Sequence, residues 1–244
     1  MDPQQQQRQH PSDHHQAIPP ATAVQDFRSY VIQHCQPTAL DLVYGGPGRV
    51  PRSFLPLSAL KAYFRDGDRV FRILREVTPW STGPPPFALR RNIQHHYPQV
   101  FAILLLIDQA ERIQDFIDYD SLCDEALPFV TRPPEFPVAD PDFYPLFFEA
   151  QMIFCAPVLR RDPFKEFHAR TILPVVRCEP VGDISSCTYR IELHPDYNEL
   201  HADTDSSTPS VINLHYSFLS SPQELTFASN RIRYITRLLS RHVQ

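Results

Sequence analysis

Twenty-six prolines against six glycines limit what this chain can fold into more than any other feature. Each proline fixes φ and removes a backbone donor, and few residues are free to take positive φ, so the chain is one of many fixed bends. Helical periodicity survives between those bends. From Thr22, an N-cap residue by type, Val24, Phe27, Val31 and Cys35 recur at helical spacing until Pro37. Ser58 is placed to cap a short helix through Phe64, and Asp66-Gly67-Asp68 breaks and restarts the chain. Val70, Phe71, Leu74 and Val77 then give the next helix its apolar face, ended by Pro79. Thr82-Gly83-Pro84-Pro85-Pro86 reads as a stiff connector, and His95-His96 as the end of a helix rather than a metal site.

Pro98 suits a first-turn position, and Val100, Phe101, Ile103, Leu104, Leu105, Leu106 and Ile107 are apolar almost all round. That pattern predicts a buried central helix. Asp108, Glu111, Asp115, Asp118, Asp120, Asp124 and Glu125 follow against Arg112 alone, with Ile113, Phe116 and Ile117 facing inward, and read as a solvated acidic face. The segment 131–145 is proline-broken; Pro134-Glu135-Phe136-Pro137 matches the bare P-x-x-P pattern but reads as loop. Phe143, Tyr144, Phe147, Phe148, Met152, Ile153 and Phe154 form the densest aromatic patch, expected to serve packing.

The period changes at 170–196. Ile172, Leu173, Val175 and Val176 form a short apolar run, and Tyr189, Ile191 and Leu193 alternate with Arg190, Glu192 and His194. Two strands joined by the small or polar residues 181–187 make a hairpin the economical reading. The expected fold class is therefore α+β. A disordered tail (1–20) precedes a mainly helical domain (21–168), followed by a small antiparallel sheet with a C-terminal helix (169–244). That last helix is read over 229–242, with Ile232, Ile235, Leu238 and Leu239 on one face and Arg231, Arg233, Arg237 and Arg241 elsewhere, docked on the acidic segment.

A net charge of −5 gives no general pull toward nucleic acid or anionic membrane, and neither partner is expected. Cys35, Cys123, Cys155, Cys178 and Cys187 are odd in number and scattered, which argues against a disulfide framework or cysteine zinc site. The tail has no apolar signal segment, and an intracellular setting, cytoplasmic or nuclear, is expected. Residues 44–51, YGGPGRVP, lack the lysine and hydroxyl of a phosphate loop and read as plain loop. His10, His14 and His15 and the His201-Ala202-Asp203-Thr204-Asp205 run read as solvated polar segments, so no metal is expected.

Leu127-Pro128-Phe129, then 151–158 (QMIFCAPV), then Ile172-Leu173-Pro174, then 189–196 (YRIELHPD) occur in an order that resembles a group of kinase-like proteins common in filamentous fungi. In that group a helical N-terminal region leads into a serine/threonine kinase domain. The resemblance covers about 57–197, with an echo in 211–218 and 224–228 of the fourth and fifth strands of a protein-kinase N-lobe. It implies that the small sheet is a reduced N-lobe whose hairpin would cover a nucleotide, with Val181, Gly182 and Tyr189 as the residues nearest an adenine.

Kinase chemistry itself is not encoded in these residues. Gly182 stands alone where three glycines would approach phosphate, Lys61 and Lys165 both precede it, and neither H-R-D nor D-F-G occurs. No residue qualifies as catalytic. The expectation is a non-catalytic, pseudokinase-like protein with no required cofactor, weak ATP binding through the hairpin at most, and a protein as partner. The alternative is a portion of an active serine/threonine kinase that transfers phosphate from ATP.

Overall fold

The computed structural model describes residues 21–44, 50–77, 84–137, 141–160, 166–167, 170–180, 188–199, 212–215 and 232–233. Expectations for the 1–20 tail, the loop glycines at 45–48, the hairpin tip with Val181 and Gly182, and the 201–205 run lie outside them.

Helix α1 (Ala23–His34) begins where its sequence places it. Thr22 Oγ1 accepts from the Gln25 amide at 3.2 Å while Gln25 Oε1 accepts from the Thr22 amide at 3.1 Å, a reciprocal capping box. Strand β1 (Gln36–Pro37) pairs antiparallel with β2 (Ser53–Phe54), and a helix that periodicity did not reveal, α2 (Ala39–Tyr44), lies between them. Three helices follow: α3 (Leu57–Arg65), α4 (Gly67–Val77) and α5 (Phe87–His95). Helix α3 corrects one expectation. Ser58 lies inside the first turn, and its amide donates to Asp196 Oδ2 at 2.7 Å, so the cap comes from a residue distant in sequence. In α4 the buried residues are Val70, Ile73 and Leu74, whereas Phe71 is half-buried at the edge.

Helix α6 (Pro98–Leu106) is the centre: Pro98, Val100, Phe101, Ala102, Ile103, Leu104 and Leu105 are all buried, and α1, α3, α5 and a later helix over Phe143–Phe154 pack around it. Both its ends are closed by other elements. Asp124 takes the Gln99 amide at 2.7 Å and the Val100 amide at 2.9 Å, which moves this residue from the expected solvated face to a capping role. At the far end the Arg28 side chain donates to the Leu105 carbonyl at 3.0 Å and pairs with Asp108, whose φ of 57° turns the chain out of the helix. After the short α7 (Ile113–Ile117), helix α8 (Phe143–Phe154) brings the aromatic patch inward. Phe147 stacks on Phe116 at 5.3 Å, and Phe136, from the P-x-x-P loop, meets Phe143 and Tyr144 at 5.1 Å.

Strand β3 (Glu166–Phe167) leads to β4 (Val175–Pro180) and β5 (Thr188–Leu193), the expected antiparallel hairpin. Strand β6 (Ile212–His215) adds to the other edge of β5 with Tyr189 opposite Leu214, giving the order β4-β5-β6. Strand β7 (Ile232–Arg233) pairs with β3, so at these two residues the expected terminal helix is overturned. Pairing with Glu166 and Phe167 supplies backbone partners that the amphipathic pattern could not foresee; the rest of 229–242 lies outside the described residues. The fold is α+β, and its two parts share cores. Ala39 and Leu40 of α2 are buried with Val175, Ile191 and Leu193, while Phe54, Met152, Ala156, Ile172 and Tyr197 form another cluster.

Candidate functional site

Of the three residues expected near an adenine, Tyr189 is the one described. It alternates with Ile191 and Leu193 on β5, so it shares their face, and it packs half-buried against the cluster that holds Val175. Its ring contributes to the sheet's own packing.

The His194-Pro195-Asp196 turn is also structural. The His194 ring meets Phe54 edge-on at 5.8 Å and Tyr197 at 5.9 Å, and His194 Nδ1 accepts from the Asp196 amide at 3.2 Å. Asp196 caps α3, and the Tyr197 hydroxyl donates to the Leu55 carbonyl at 3.0 Å. Sheet and helices are thereby latched together. Leu127-Pro128-Phe129 is tied down in the same manner: buried Gln151 accepts from the Phe129 amide at 2.9 Å and donates to its carbonyl at 3.0 Å.

Burial disarms the described thiols that shift. It pushes Cys35 up to about 11, does the same to Cys178 with help from Glu179, and holds Cys155 higher still, so these stay protonated at neutral pH and are poor nucleophiles. Asp124 is pushed up to about 7 by burial, against the lowering effect of the two amides it accepts. Among the described residues no three His, Cys, Asp or Glu side chains gather to hold a metal ion, and no helix is long and apolar enough to cross a membrane.

A groove of about 680 Å³ opens between the first turn of α1 and the side of α4, lined by Thr22, Asp26, Arg69, Phe71, Arg72 and Arg75 together with Glu76. Its walls are fixed. The Ala23 amide donates to Glu76 Oε2 at 2.6 Å, and the Tyr63 hydroxyl donates to Asp26 Oδ2 at 3.1 Å. Arg69 lies 4.6 Å above the Tyr63 ring and pairs with Asp66 at 3.3 Å. On the groove's wall Phe71 meets two cations, Arg75 at 5.8 Å and Arg90 at 5.3 Å, and Arg90 also lies 5.4 Å from the Phe87 ring. Phe87 is 70% exposed. Apolar periodicity assigns these helices to the core; the arginines at 69, 72 and 75, three residues apart on α4, are the sequence signal of a basic stripe.

Around these sites the described residues form an α+β fold. No family model, curated protein or solved structure matches the chain.

Proposed function

We propose that the chain is a non-catalytic, kinase-like protein-interaction module. The observation that carries this reading is the use made of the hairpin: Tyr189 packs half-buried against the cluster of Ile191 and Val175, so its ring serves the sheet's own packing. Sequence chemistry supports the same reading. A γ-phosphate is transferred by positioning and charge neutralisation, and these residues contain no lysine after Gly182, no H-R-D and no D-F-G. The kinase-like ancestry rests on the ordered segments, three of which (151–158, 172–174 and 189–196) contribute residues to the joint between helices and sheet. An intracellular setting and a protein partner belong to the same proposal.

Isothermal titration with MgATP, beside a phosphate-release assay on the purified chain, tests it. No turnover and no magnesium-dependent affinity below the millimolar range are expected. Turnover, or magnesium-dependent affinity below the millimolar range, overturns the non-catalytic reading.

A further inference from the structure

We propose that the groove between α1 and α4 docks an acidic peptide segment, with Arg72 and Arg75 as its cationic contacts and the exposed Phe87 as an apolar neighbour. The proposal names the partner class for the interaction module above and rests on that reading. Its basis is the distribution of unpaired arginines. Seven arginines, Arg28, Arg52, Arg69, Arg112, Arg160, Arg170 and Arg177, have a carboxylate within 4.0 Å. Arg65, Arg72, Arg75, Arg90, Arg91, Arg132 and Arg190 have none among the described residues, and five of these seven lie on α3, α4 or α5. Residues 57–95 carry seven Lys and Arg against three Asp and Glu, a net +4 within a chain of net −5. The segment is a local inversion of the protein's charge.

Geometry favours a peptide over a nucleic acid. Arg69, Arg72 and Arg75 follow one another about 4.5 Å apart along the helix axis, a spacing that successive acidic side chains can meet. Asp26 and Glu76 are fixed in the same groove by Tyr63 and by the Ala23 amide, so a continuous phosphate backbone would run against two carboxylates. A peptide with spaced carboxylates avoids them. Arg75 is held over Phe71, which reduces the side-chain entropy lost on binding, and Arg72 is exposed with no hydrogen bond or ion pair among the described residues.

The test is fluorescence anisotropy on the full chain, with a short fluorescein-labelled peptide of glutamate and aspartate containing one tyrosine. Saturable binding that weakens with added salt is expected. The double variant Arg72→Glu, Arg75→Glu should bind at least about tenfold more weakly. Arg72→Gln, Arg75→Gln should fall between it and the unaltered chain, and Arg177→Glu, on β4, should bind as the unaltered chain does. Circular dichroism melts of each variant establish that the fold is kept. Absence of peptide binding, equal binding by the double variant, or tighter binding of a short oligothymidylate overturns the docking proposal. Those outcomes leave phosphate release untouched, whereas turnover of ATP would defeat the non-catalytic reading beneath it.

Discussion

Replacing Asp124 with alanine should destabilise this protein more than its place in an acidic stretch suggests. Its two oxygens take the amides of Gln99 and Val100 at 2.7 and 2.9 Å, the first-turn donors of the central helix. Loss of an N-cap costs about 1 kcal/mol, and leaving part-buried donors without an acceptor adds about 1–3 kcal/mol. A loss of roughly 2–4 kcal/mol is expected from urea denaturation followed by circular dichroism. Asp124→Asn keeps one acceptor and should lose about half of that.

The pH dependence has a definite sign. Burial raises the folded-state pKa from 3.8 to about 7, so between those values the folded protein binds the proton more tightly than the unfolded chain does. The resulting stabilisation is fully present below 3.8 and fades as pH rises through about 7. The unaltered protein should therefore be more stable at pH 5 than at pH 7 by a contribution that Asp124→Asn removes. Equal stability of Asp124→Ala and the unaltered protein at both pH values would refute the capping argument.

Ile103→Ala or Leu104→Ala, each in the fully buried stretch of α6, should cost about 2–5 kcal/mol in the same denaturation experiment. Gln151→Met keeps the volume but removes both bonds to Phe129. Because the Tyr144 hydroxyl still reaches the Phe129 carbonyl at 3.4 Å, the loss falls mainly on the amide, and about 2 kcal/mol is expected. Asp196→Ala should cost about 1 kcal/mol as a lost cap and speed amide hydrogen exchange in the first turn of α3.

Features set by neighbours in sequence were legible in advance. The Thr22–Gln25 capping box, the proline at the start of α6 and the alternation of Tyr189, Ile191 and Leu193 each rest on residues a few positions apart. The α+β class followed from the switch between those two periods. Features set by distant partners were not legible. Asp124 and Asp196 look like any surface carboxylate until the fold brings α6 and α3 to them, and Gln151 shows nothing in sequence of the Phe129 backbone it ties. Helix α2 is too short to show a period, and Ile232 fits a pleated edge as readily as a helical face. For the groove, the basic stripe could be read from the sequence, but its meaning came from which arginines find a carboxylate in the fold.

Amide chemical-shift mapping of the full chain with two ligands in turn, the acidic peptide and MgATP, tests the central claim most directly. The peptide should shift amides of α4 around Arg72 and Arg75 and those of the first turn of α1, and MgATP should leave β4 and β5 unmoved. Saturable magnesium-dependent shifts along β4 and β5, with α4 silent to the peptide, would contradict the account.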